Sequence, residues 1–336
     1  MTVRMTTRIR TKLDKIWNDV VAPTLDQQLL KDNVVPDRFL QYHKIRIISH
    51  DFKLSDTETT NLSLDPPVLF KPRPPSAVTD YPINPNGYEP GYLIGSDELK
   101  FLDFNPPANI ENVLHTRWSP SNRGSWLSWY LANWALGRFP RRLPPHVISL
   151  GQLYNISPVI APHPMLTEIF GFSGGYLHGK TWDTDIYEYN MTNAAGQKLF
   201  LPHTITISIQ SSNGHNGSII HGELASIVTA MRNRARQPTV WTPEDSDEEA
   251  ESMTGGNQEL PESELRFRTE KRFPVLMVSV VGPQHARIYY ACMAGQELII
   301  RQSELYSFEK QDIDLLNYFS CVLLSSPLKE REIVAT

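Results

Sequence analysis

Cysteine is almost missing from this chain, with two residues in 336, Cys292 and Cys321. Both sit inside apolar runs and neither has a ligand spacing, which excludes a disulfide framework and a zinc ribbon and fits a reducing compartment. Nowhere do about 18 apolar residues follow one another, so no transmembrane helix is expected. The N-terminus also lacks the apolar run of a secretory signal, which points to a cytoplasmic or nuclear protein. An acid-free start bearing Arg4, Arg8, Arg10 and Lys12 also fits a mitochondrial presequence. The sequons at Asn61, Asn155, Asn190 and Asn216 then carry no weight, because they matter only in a secreted chain.

Basic residues are absent from one stretch, and that stretch sets the net charge. Glu244 to Glu264 holds nine acids and no base, and without it the formal charge of −5 becomes +4. A mildly basic body permits an acidic partner without demanding nucleic acid, which is not indicated. Residues 241–265 are too polar to bury anything and are expected to form an acidic disordered insertion. Ser246, followed by Asp247, Glu248 and Glu249, has the surroundings of an acid-directed phosphorylation site and is the regulatory candidate. Arg232, Arg234 and Arg236 precede the insertion, and Arg266, Arg268, Lys271 and Arg272 follow it. Folding back onto these basic ends would mask them; the plainer reading is a solubilising loop.

What is present has clear periodicity. Ile205, Ile207 and Ile209 alternate with Thr204, Thr206 and Ser208, the period of a strand with one buried face. After a polar turn, Ile220, Leu224, Ile227, Val228 and Met231 fall on one helical stripe reaching to Arg236. Residues 275–281, 287–293 and 297–302 are separated by short turns and predict an antiparallel meander. A helix is expected near Asp312 to Ser325. Leu13, Ile16, Trp17, Val20 and Val21 predict a docking helix, and Tyr42 to Phe52 a first strand. Together these give an α+β fold: a mixed or antiparallel central sheet covered by helices, with an irregular proline-rich N-terminal part. The expected organisation is a helix and first strand over 1–64, a connector over 65–110, and a core over 111–240 and 266–328.

The connector expectation rests on eight prolines between Asp65 and Pro90, which remove backbone donors from helix and sheet alike. Pro72-Arg-Pro-Pro75 also has polyproline-ligand spacing. Four of the seven tryptophans lie between Trp118 and Trp134. Trp126, Trp129, Tyr130 and Trp134 share one side of a helix, expected to face the core; a membrane surface or stacked bases is the rival reading.

Three stretches hold candidate chemistry. Gly174 to Thr181 matches the phosphate-loop pattern, in which Gly174 and Gly179 would open the backbone, Lys180 would reach phosphates and Thr181 would meet Mg²⁺. Its context disagrees: the following Trp182 to Asn190 is aromatic and β-branched rather than helical. His221 and Glu223 stand two apart at a helix start, as ligand and proton shuttle do in zinc deaminases, but the downstream Pro-Cys-x-x-Cys is missing. With His285 and Arg287 they are the polar groups most worth finding in one pocket. No cofactor and no metal is indicated.

The run Phe273 to Ile288, continuing through Leu298 to Phe308, resembles a segment of uncharacterised proteins of filamentous fungi; the likeness spans the chain from His221 onward. It implies a fungal source and no mechanism. The order helix, three strands, helix from Ile219 to Ser325 also resembles the core of PD-(D/E)XK nucleases. Glu223 would be its helix acid, but the strands supply neither the Asp nor the acid-x-Lys, and Glu98-Leu-Lys100 lies outside that core. The expected function is a non-enzymatic binding or accessory role toward an unidentified protein or small molecule. A small-molecule enzyme, for example in fungal secondary metabolism, and a nucleotide-binding protein are the alternatives.

Overall fold

Among the described residues nine strands, the longer central ones rich in β-branched and aromatic residues, assemble into one sheet in the computed structural model of the chain. It describes residues 2–21, 33–84, 99–107, 117–137, 139–160, 163–166, 173–175, 181–240 and 261–330. The strands are β1 (Ile45–Ser49), β2 (Ile156–Pro158), β3 (Ser173–Gly175), β4 (Thr181–Tyr189), β5 (Thr204–Asn213), β6 (Val275–Gly282), β7 (His285–Ala294), β8 (Glu297–Gln302) and β9 (Tyr306–Ser307). Their order is β1-β8-β7-β6-β5-β4-β2, with β9 beside β7 and β3 beside β4. Two pairs, β1 with β8 and β5 with β6, are parallel and the others antiparallel, so the sheet is mixed.

Four long helices cover it: α1 (Thr2–Val20), α2 (Pro120–Ala135), α3 (His221–Arg236) and α4 (Ile313–Leu323). The fold is α+β. On one face α2 and α4 pack on Ile205, Ile207, Leu276, Val278 and Val280. On the other, α3 lies on Val275, Met277, Tyr289 and Ala291, and α1 adds Ile9, Leu13 and Ile16 to the same core. Local signals place these helices. Ser119 caps α2 through its hydroxyl, which accepts from Asn122 N–H at 3.2 Å, with Pro120 next in the first turn. Asp312 caps α4 through Leu315 N–H at 3.0 Å. At the β6 end, a Cβ on Gly282 would lie 2.5 Å from both Asn213 Oδ1 and Pro120 Cβ, so the missing side chain lets α2 start against the sheet.

The three-strand meander matches its sequence pattern, with β6, β7 and β8 antiparallel in succession. Strand β5 differs from its expectation. Its isoleucines face the α2 core, but Thr204, Thr206 and Ser208 are also fully buried, because α3 crosses back over that face to reach β6. The alternation therefore separates two buried faces, one apolar and one hydroxyl-lined. Part of that face is satisfied by hydroxyl pairing: Ser208 and Ser226 lie 3.0 Å apart, and Thr184 lies 2.8 Å from Ser226, whereas Thr206 Oγ1 is buried without a partner.

Residues 65–84 are not a spacer. Val68, Leu69, Phe70, Ala77 and Val78 are buried between the prolines, and Phe70–Lys71 pairs with Ser326–Pro327. Prolines are tolerated because that pairing is two residues long and needs few donors. The acidic segment also has a folded end: Glu262–Glu264 forms a 3₁₀ turn, Leu265 is buried, and 241–260 with Ser246 lies outside the described residues. Among the described residues no helix is long and apolar enough to cross a membrane.

The tryptophan face of α2 is only partly a core face. Trp134 and Tyr130 are buried, Trp126 is partly buried against Phe101, and Trp129 remains 37% exposed. Trp134→Ala should therefore cost about 3–5 kcal/mol in urea denaturation, whereas Trp129→Ala should cost below about 1 kcal/mol. Equal losses at the two positions would contradict this packing.

Candidate functional site

The polar centre of the structure begins at the first turn of α3. Glu223 reaches back to accept from the Ile220 N–H at 2.9 Å, in the helix position where the free N–H groups favour a carboxylate. Its side chain also reaches the sheet, because Ser279 on β6 and Arg287 and Tyr289 on β7 all point toward α3. Oε1 accepts from Ser279 Oγ at 2.7 Å and Arg287 Nε at 2.9 Å. Oε2 accepts from Arg287 Nη2 at 2.5 Å and the Tyr289 hydroxyl at 2.8 Å. Arg287 uses its remaining nitrogen on the His215 carbonyl at 2.9 Å, and Gln302 donates to the Tyr289 oxygen at 3.1 Å.

Both charges are fully buried. Burial alone would lower the Arg287 guanidinium, but Glu223 overrides it and holds the group above its ordinary value. Burial drives the Tyr289 phenol well above its own. With five donors on two oxygens, the Glu223 carboxylate has its acceptor sites filled and meets no solvent. It holds α3 on the sheet; it has no free position from which to take a proton.

Of the four residues singled out in the sequence, the structure brings two together. His221 stands two positions before Glu223, yet its Nε2 lies 2.5 Å from the Val20 carbonyl and its ring packs edge-on to Trp182. Burial pushes its imidazole down against that hydrogen bond. His285 begins β7, opposite Val281 and Ser307. It too is lowered by burial, with Glu309 opposing. Among the described residues no group of His, Cys, Asp and Glu gathers as a metal set. A groove of about 590 Å³ lies elsewhere, lined by Phe104, Glu309, Lys310, Asp312 and Asp314 and by none of the four candidates.

The phosphate-loop match falls on a different structure. Gly174 pairs with Trp182 in the antiparallel β3–β4 ladder, and Thr181 opens β4 rather than a helix. Its N–H donates to Ser211 Oγ at 2.5 Å, while Gly179 and Lys180 lie outside the described residues. Glu98 also lies outside them.

Sequence reasoning missed a second buried network. Glu188 on β4 receives Arg234 from α3 at 3.2 Å, with Lys198 at 3.4 Å and His163 at 3.5 Å. Burial would raise its carboxyl, but the His163 hydrogen bond and the Arg234 charge outweigh it and hold the group down at about 2. The available signal was spacing: Arg234 falls across the α3 stripe from Arg232 and Arg236. Those two both bind Asp14 on α1, Arg232 at 2.9 Å. Arg266 donates to the Pro238 and Thr239 carbonyls, and Arg272 binds Glu330 at 2.7 Å. Most of the basic ends expected to receive the acidic segment are thus already engaged inside the fold, which removes the main support for masking.

No protein-family model, no curated protein and no solved structure matches this chain.

Two outcomes follow from these networks. Glu223→Gln leaves Arg287 buried without a counter-ion and should cost about 3–5 kcal/mol; adding Arg287→Met should recover most of that loss in the same denaturant titration. Glu188 has a folded-state value depressed from 4.5 to about 2, so its contribution is present above pH 4.5 and lost as pH falls through that window. Melting temperature should therefore fall more gently with acid in Glu188→Gln than in the parent, from a lower starting value.

Proposed function

We propose that this chain is a non-enzymatic intracellular binding or accessory protein. The observation that carries this reading is the closure of its most reactive-looking group: Glu223 accepts five hydrogen bonds in a site that is fully buried. A general base needs a free acceptor position within reach of a substrate proton. Of the remaining candidates, His221 is engaged by a backbone carbonyl, and burial lowers the His285 imidazole at the start of β7. Both cysteines are buried, and burial raises each thiol to about 11, which disfavours the nucleophilic thiolate. Charged side chains in this fold join elements to one another, which suits a rigid scaffold presenting a surface.

The test is an activity panel on the full chain, using phosphomonoester, phosphodiester, carboxyl ester and peptide substrates, and plasmid DNA with Mg²⁺ or Mn²⁺. The expected result is no turnover that tracks with the protein through two chromatographic steps. Turnover that does so and is lost in a folded His285→Ala variant, or in the folded Glu223→Gln/Arg287→Met pair, would replace this reading with an enzymatic one.

A further inference from the structure

Among the described residues strand β1 is the edge of the sheet, and no strand lies on its outer side. In the parallel ladder with β8, the Lys44 carbonyl accepts from Leu298 N–H at 3.1 Å, and His50 N–H donates to the Gln302 carbonyl at 2.8 Å. With Ile45 opposite Leu298 and Ser49 opposite Gln302, the even-numbered residues bond to β8. The N–H and C=O groups of Ile45, Ile47 and Ser49 therefore point away from the sheet. Among the described residues no strand pairs with them. The strand reads Ile-Arg-Ile-Ile-Ser, without the proline or bulge that usually blunts such an edge.

The surroundings of that edge are basic. Arg46 is exposed on β1 and has no ion-pair partner among the described residues. On the same face, in register with Ile48, stands Arg301. Arg301 is 5% exposed, and its Nη2 donates to the Asp65 and Pro66 carbonyls at 3.2 and 3.0 Å, while Nε is buried without a partner. Among the described residues no carboxylate forms an ion pair with it, in contrast to Arg10, Arg232, Arg234 and Arg287. At the start of the strand the Lys12 ammonium of α1 is lowered by burial and then by the neighbouring charges of Lys15 and Lys44. Lys15 also lies over the exposed Tyr42 ring at 4.6 Å. The nearby acids are partly engaged: Asp19 faces His43 at 3.2 Å and Asp51 faces Lys53 at 3.6 Å, with Asp56 and Asp65 beyond.

We propose that the outer edge of β1 is a docking site for an acidic, extended segment of a partner protein, which adds to the sheet as a further strand. Backbone pairing with Ile45, Ile47 and Ser49 would supply the ladder, and alternate carboxylates on one face would meet the exposed Arg46, with Lys44 at the start of the strand. This rests on the reading of the chain as a binding protein and names the chemistry of its partner. A second copy fits less well, because pairing two β1 edges brings two basic frames together. Nucleic acid offers the charge but no backbone ladder for the open N–H and C=O groups.

The probe is a fluorescein-labelled peptide of alternating glutamate and valine, read by fluorescence anisotropy with the full chain; a lysine–valine peptide is the control. The glutamate peptide should bind and weaken with salt, and the control should not bind. Ile47→Pro removes an outward N–H without touching the β8 ladder, and Arg46→Glu reverses the central charge. Each should weaken binding at least about tenfold while melting remains cooperative. Equal binding of both peptides, undiminished binding to folded Ile47→Pro, or no binding at all would overturn the site. A concentration-dependent dimer in sedimentation that Ile47→Pro abolishes would also overturn it, in favour of a second copy. Loss of the site with an inert activity panel leaves the binding reading standing on another surface, whereas turnover in that panel removes the reading itself.

Discussion

The Glu223–Arg287 pair is the constraint around which the rest of this fold is arranged. Removing both charges from water costs several kcal/mol per ion before their attraction is counted, so the pair is weak evidence of stability on its own. Its value lies in geometry. A bidentate arginine accepts one carboxylate orientation, and that carboxylate belongs to the first turn of a helix whose N-cap it also completes. Sliding α3 along the sheet by one turn would part Glu223 from Arg287, Ser279 and Tyr289 together. The crossover from β5 to β6 is thereby held in one register, and with it the parallel pairing at the centre of the sheet.

The same crossover explains why half of β5 is lined with hydroxyls. A helix packed on Thr204, Thr206 and Ser208 cannot gain much from burying apolar surface there, and a buried hydroxyl without a partner, as at Thr206, is costly. Ser226 on α3 is the partner for Ser208 and Thr184, and Arg234 reaches Thr204 Oγ1 at 3.4 Å. Polar contacts therefore join α3 to the sheet at several levels along its length, from Glu223 to Arg234. The apolar work falls to the opposite face, where α2 and α4 bury the isoleucines and the aromatic cluster.

Elements whose information is local were legible in the sequence. The helices followed from stripes of three- and four-residue spacing, and the meander from apolar runs separated by turns such as Ala294-Gly295-Gln296, where Gly295 adopts φ +63°. What could not be read is partnership over distance. Nothing near Ile45 says that it lies beside Leu298, and nothing near Asp14 says that it will bind Arg232 and Arg236. The alternation in β5 was read as one buried face because threonine and serine ordinarily mark solvent; only the topology places a helix over them. At the site, Glu223 and Arg287 were found as residue types worth attention, but Ser279 and Tyr289 looked like parts of an apolar strand. A lone hydroxyl between Val278 and Val280 was the available hint.

The distribution of charge follows from these pairings. Arginines enter the interior because a planar guanidinium can bond two acceptors at once and is weakly hydrated, and four of them have a carboxylate waiting. Lysines, strongly hydrated, remain outside, and three of them gather where β1 begins. An open edge strand in a protein with so much buried backbone would ordinarily invite pairing between copies. Lys12, Lys15, Lys44 and Arg46 raise the cost of that encounter, since each copy would bring the same sign. A charge frame that repels a second copy attracts an acidic strand by the same Coulomb interaction, so the edge can stay open in isolation and still be selective in company.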